Sequence, residues 1–141
     1  MPTLLIATDG SEYSEHAVDY VIARAASCRE PVRAHLLNVQ GQLQGVNVKI
    51  FISKDSLDEY YRDEGMAVLE PARQRLQAAG IECELHIGVG DPGEIIVGYA
   101  ASVACDEIVM GTHGRGVIAG AVMGSVAQKV IQRARVPVVL V

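Results

Sequence analysis

Apolar positions along the chain follow two alternating rhythms. TLLIAT (3–8), VRAHLLNV (32–39), IECELHI (81–87), DEIVMG (106–111) and VPVVLV (136–141) are short runs with the length and composition of strands. Between them the apolar residues recur at helical spacing. One helix runs to about residue 28, and a second shows in Leu69, Ala72, Leu76 and Ala79 ahead of a stop at Gly80. A third starts at Asp91-Pro92, cap then proline at the first helical position, and continues to about Ala104. Val126, Val130 and Ala134 mark a last one. Residues 40–56, QGQLQGVNVKIFISKDS, keep neither rhythm and read as a mobile flap rather than a packed helix. Strands alternating with helices in this way predict an α/β fold, a single open five-stranded parallel sheet with helices on both faces.

Strand composition orders the sheet. TLLIAT, EIVMG and VPVVLV are nearly continuous apolar runs, as strands covered on both faces should be, whereas IECELHI alternates Glu82, Glu84 and His86 with Cys83, Leu85 and Ile87. The third strand is therefore placed at an edge. The order 3-2-1-4-5 satisfies this and the right-handed crossover rule, giving a Rossmann-like sheet with its topological switch between strands one and four. Ligands bind in the crevice beyond the carboxyl ends of the strands at such a switch. The segments expected there are ATDGS (7–11) and GTHGRG (111–116).

Composition narrows the classes of function. A chain of 141 residues is expected to form one domain over 1–141, burying roughly 70% of its unfolded surface. No apolar run approaches the ~20 residues that span a bilayer, and MPTLLIATDG reads as a first strand rather than a signal peptide, so no membrane association and a cytoplasmic location are expected. Cys28, Cys83 and Cys105 are an odd number without metal-ligand spacing, which suits buried free thiols. A net charge of −5, one Phe and no Trp leave neither a basic footprint nor stacking platforms, and nucleic acid is excluded as an expected partner.

The chemistry concentrates in GTHGRGVIAGAVMGS (111–125), with five glycines and no acidic residue. Glycine loses the most conformational entropy on folding, so a cluster of it requires positive φ or an approach too close for a Cβ. Gly111 to Gly116 has the spacing of a P-loop, but Val117 and Ile118 stand where Lys and Ser/Thr are required. Gly114-x-Gly116-x-x-Ala119 fits the loose dinucleotide fingerprint, yet no acidic residue follows Glu107 to hold a ribose. Gly88-x-Gly90-x-x-Gly93 is already explained by the Asp91-Pro92 helix start, and Asp106 and Glu107 lie at the wrong end of their strand. A receiver domain fails for want of an acidic pair after strand one and a lysine after strand five.

A third pattern fits: Gly111, two residues, Gly114, nine residues, Gly124, then Ser125. It resembles the nucleotide-binding branch of the universal stress protein family, whose phosphate loop reads G-x2-G-x9-G-S/T. The resemblance covers the whole chain, since ATDGS, LLNV, IVMG and VPVVLV also stand where that family would have them. It implies ATP, with Mg²⁺, lying across the switch crevice. Asp9 and Val39 would flank ribose and adenine, while Met110, Gly111, Gly114, Arg115, Gly124, Ser125 and Val126 would line the nucleotide. Ala7, in the first loop, departs from the Val or Pro of many members and affects one packing contact. The family also implies a homodimer, which the uncharged VPVVLV at a predicted sheet edge supports.

Several residues carry two readings. Ser125 would bond a phosphate or merely cap the last helix, although capping explains neither Gly111 nor Gly114. Arg115 is a bidentate phosphate clamp or a solvated loop cation. Asp9 holds ribose or a phosphate-bound Mg²⁺, or is a turn residue ahead of the Ser11 cap. His113 touches phosphate or, as the commoner outcome, is an exposed loop histidine. His16, His35 and His86 lack ligand-like spacing, and no metal site made by protein ligands alone is expected. Three classes of function remain: an ATP-binding regulator, at most a slow ATP hydrolase or phosphotransfer enzyme because no base or P-loop lysine stands out, and a nucleotide-free interaction module.

Overall fold

Five strands pair in the order β3-β2-β1-β4-β5, all parallel, in the computed structural model, which describes residues 1–41, 54–114 and 123–141. The elements are β1 (Thr3–Ala7), α1 (Glu12–Ser27), β2 (Arg33–Gln40), α2 (Lys54–Ala78), β3 (Glu82–Val89), α3 (Pro92–Ser102), β4 (Glu107–Met110), α4 (Ser125–Arg133) and β5 (Val138–Leu140). Fold class and strand order are those expected, with β3 at an edge.

Period-two alternation along the central strand splits the core into two layers. Leu4 and Ile6 pack with Val18 and Val21 of α1 and Leu69 and Leu76 of α2. Leu5 points to the other face, with Leu37, Ile108 and Met110 against Ile96 and Ala100 of α3 and Ala127 and Val130 of α4. Each fully buried Leu, Ile or Val contributes roughly 1.5–3 kcal/mol, so the central strands anchor the domain. Everything at their carboxyl ends is carried by that rigid base.

Local signals start the helices. Ser11 caps α1 by accepting from the Ser14 N–H, with Glu12 and Glu15 in the first turn to favour its dipole. Asp91 caps α3 by accepting from Glu94 N–H at 3.1 Å and also takes a 2.9 Å bond from Lys129 of α4. The lysine first, then the Glu94 N–H, holds the Asp91 carboxyl below its ordinary range.

Helix α2 corrects one expectation. It begins at Lys54, although helical spacing is legible only from Leu69, and it passes through Pro71. Packing overrides the proline: Leu69, Ala72 and Leu76 are buried, and at Gly65 the helix lies so close to β3 that a Cβ would stand 2.8 Å from Ile87 Cδ1. The flap expected over 40–56 is thus strand at Gln40 and helix at 54–56, and residues 42–53 lie outside the described residues. The thiols are free as expected, but only Cys105 is buried, Cys28 and Cys83 being partly exposed. Desolvation pushes the Cys83 thiol up to about 11, and burial also raises Cys105. No described helix is long and apolar enough to cross a membrane.

Candidate functional site

A cavity of about 400 Å³ opens beyond the carboxyl ends of β1, β2 and β4, at the topological switch. Its first wall is the turn after β1. Thr8 N–H donates to Leu37 O, and Asn38 Nδ2 donates to Thr8 O, both at 2.9 Å, tying this turn to β2. Asp9 Oδ1 accepts from Ser11 N–H at 2.8 Å, and Gly10 takes a left-handed φ of 81°, which lets the chain reverse into α1. Asp9 is therefore a turn residue and a cavity-lining carboxylate at once.

The glycines form the second wall. None of Gly111, Gly114 and Gly124 has a positive φ, so close approach explains them. A Cβ on Gly111 would stand 2.7 Å from Tyr13 Cβ and 2.8 Å from the Tyr13 carbonyl carbon and oxygen, so this glycine lets β4 run out against the first turn of α1. On Gly114 a Cβ would lie 2.5 Å from Asp9 Oδ2, which brings the carboxylate against the glycine backbone. Gly124 donates its N–H to Thr112 O at 2.7 Å, clasping the two ends of the glycine stretch together. Close approach within the protein accounts for Gly111 and does not need a phosphate.

Helix α4 supplies the third wall. Its cap position is Gly124, with no side-chain cap bond, and Ser125 is its first residue rather than its cap. The capping reading of Ser125 is thereby removed. The first intrahelical bond is Gln128 N–H to Gly124 O, so the N–H groups before it have no partner within the helix. Gly124, Ser125, Val126, Ala127 and Gln128 all line the cavity. A helix start of this kind favours an anion through open donors and the positive end of the helix dipole.

Of the residues singled out from the sequence, Ala7, Asp9, Val39, Met110, Gly111, Gly114, Gly124, Ser125 and Val126 are brought together on the cavity, while Arg115 lies outside the described residues. His113 is also there. Rather than standing exposed, it is partly buried, bonds Thr112 Oγ1 through Nδ1 at 2.9 Å and tilts against Tyr13 with ring centroids 5.1 Å apart. Leu37, Ile96, Pro92 and Met123 were not anticipated and extend the apolar wall. Leu37 was findable, because it lies two residues before Val39 on the same strand face. No lysine or arginine occurs among the described lining residues.

The model of the universal stress protein family matches residues 1–141. The chain belongs to the universal stress protein family. Among universal stress proteins, Rv1636 of Mycobacterium tuberculosis is 31% identical over 157 residues, covering 99% of this chain and 94% of the relative. The structure of MJ0577 from Methanocaldococcus jannaschii superposes with a TM-score of 0.84 at 29% identity, covering 99% of this chain and 94% of the other. A universal stress protein in complex with cAMP follows at 28% identity and TM-score 0.68, covering 99% and 95%. One from Archaeoglobus fulgidus in complex with dAMP gives 25% and 0.63, covering 99% and 96%.

Proposed function

We propose that the switch crevice binds ATP with Mg²⁺ and that the protein is a stress-response regulator whose partners depend on nucleotide state. The observation that carries this reading is the uncapped start of α4 facing a cavity whose other end is apolar. Adenine fits the wall of Leu37, Val39, Met110 and Val126, Asp9 the ribose, and the phosphates the backbone from Gly111 to Gly114 with Gly124 and Ser125. The base common to the cAMP and dAMP complexes of the relatives supports an adenine nucleotide.

Because the described lining holds no cation, backbone donors must meet a triphosphate with help from Mg²⁺, for which the Asp9 carboxylate is an oxygen ligand of the right kind. Arg115 is retained as a phosphate contact in this reading. Turnover is expected to be slow at most, since no P-loop lysine is present. Mass spectrometry of nucleotide released by denaturing the purified protein tests the proposal. Near-stoichiometric ATP or ADP is expected, and protein that neither carries nor gains thermal stability from ATP would leave the interaction-module reading.

A homodimer through the C-terminal strand is part of the same proposal. Ile108 N–H donates to Pro137 O and Val141 N–H to Met110 O, so residues 137, 139 and 141 bond inward to β4, and by alternation Val138 and Leu140 turn their N–H and C=O groups to the open edge. Pro137 lacks a donor only on the inner side and does not blunt that edge. Antiparallel pairing of two β5 strands would satisfy it. Val138→Pro, which deletes one outward donor, is expected to sediment as a folded monomer. A persisting dimer would move the interface off β5.

A further inference from the structure

Three donor atoms outside the crevice converge where β2 pairs with the edge strand β3. In the parallel register His35 lies beside Glu84, and Leu37 beside His86, so period-two alternation turns all three side chains to one sheet face. His35 Nδ1 lies 2.8 Å from His86 Nε2 and 3.2 Å from Glu84 Oε2, and His86 Nε2 lies 3.9 Å from that oxygen. These separations bracket the about 3.3 Å expected between two donors each about 2.0 Å from a tetrahedral ion, and the point about 2 Å from all three atoms lies in their plane, so a small turn of the exposed Glu84 carboxylate that shortens the 3.9 Å separation lifts the ion out of that plane and opens a fourth position. We propose that His35, Glu84 and His86 bind a divalent transition-metal ion of the zinc class, with a fourth position left to solvent.

The surroundings suit that role. His35 is buried, His86 is mostly covered, and the Glu84 side chain is 69% exposed, so two rings are fixed while the carboxylate leaves an entry path. The His86 ring tilts on Tyr99 of α3 at 5.4 Å, and Tyr99 Oη in turn donates to Ile87 O at 3.3 Å, which orients the ring from behind. Two imidazoles and one carboxylate select zinc-class ions over Mg²⁺ and Ca²⁺, which prefer oxygen throughout. Without the ion, one ring donates its proton to the other across the 2.8 Å gap. When the ion enters, the donating ring takes its other tautomer, moving that proton to its second nitrogen, and both facing lone pairs become ligands.

The site differs from the nucleotide crevice. None of the three residues lines that cavity, and His35 lies two residues before Leu37 along β2, away from the carboxyl ends. An ion here would pin edge strand β3 to β2. It also departs from the expectation of no all-protein metal site, which rested on sequence spacing, because residues 35, 84 and 86 meet only through strand pairing.

Nucleotide-free protein titrated with Zn²⁺ alone is expected to take up one ion per chain and to melt at a higher temperature, with no such rise from Mg²⁺. His86→Gln should weaken Zn²⁺ binding beyond the about 10–100-fold typical of outer partners, and Glu84→Gln by about tenfold. Co²⁺ should give the visible absorption of a four-coordinate site, lost in His86→Gln. Glu84 and His86 are partly or well exposed, so these variants keep the test sound even if the buried His35→Gln fails to fold. Absence of saturable Zn²⁺ binding, or affinity unchanged in both variants, overturns the proposal and leaves a hydrogen-bonded pair of histidines.

Discussion

Gly111→Ala is expected to lower the melting temperature by about 10 °C before any nucleotide is added. The new Cβ would meet the Tyr13 carbonyl carbon and oxygen at 2.8 Å, and these are backbone atoms in the first turn of α1. They cannot swing aside as a side chain would. Overpacking of a rigid site costs about 1–3 kcal/mol, and a domain of this size loses a few degrees for each kcal/mol. The cost falls at the junction of β4 and α1, which also shapes the crevice, so nucleotide affinity should fall with stability. Circular dichroism melting curves check this. An unchanged midpoint would mean that α1 can shift freely at its start, and the close approach would then no longer explain Gly111.

The same residue shows what the sequence could and could not disclose. Five glycines in fifteen residues announce a close approach, but not what approaches. At Gly111 it is the protein's own helix α1, a contact between residues 98 positions apart that only the β1–β4 pairing creates. The sheet itself was legible because central strands covered on both faces must be continuously apolar, whereas the alternation of Glu82, Glu84 and His86 marks an edge. The start of α2 was hidden for the opposite reason. Residues 54–64 are largely polar, and Pro71 reads as a breaker, so the helix is set by burial of Leu69, Ala72 and Leu76 on β2 and β3 rather than by local preference. The switch crevice and its segments 7–11 and 111–116 followed from strand order, the family resemblance supplied the ten candidate residues of which nine line the cavity, and Ile96 and Met123 needed the third dimension. His35 and His86, separated by 51 positions, belong to the same class of information. Their contact depends on register alone.

Gly124→Val separates the ligand from the fold, and the expected result is loss of nucleotide binding in a protein that still folds. A Cβ at this position would stand 3.3 Å from His113 Cα and 3.4 Å from Thr112 O, tight contacts that a shift of a few tenths of an ångström relieves. Valine is a poor cap compared with glycine, which adds about 1 kcal/mol at most, and the Gly124 N–H bond to Thr112 O does not involve the side chain. The branched methyls, however, would fill the mouth of the cavity beside the uncapped start of α4. For the unmodified protein, ATP at about a hundred times its dissociation constant should stabilise the native state by roughly 2.7 kcal/mol, a rise on the order of 5–10 °C in melting temperature. Gly124→Val should lose that rise. Ser125→Ala, which deletes one hydroxyl and keeps the backbone donors, should weaken binding by only about 1–2 kcal/mol. A larger loss would show that the hydroxyl also holds the Mg²⁺, and a normal ATP-dependent rise in Gly124→Val would place the phosphates away from α4. If Gly124→Val instead unfolds, the close approach of residue 124 to His113 Cα and Thr112 O is the reason for the glycine, and the milder Ser125→Ala then carries the test of phosphate binding alone.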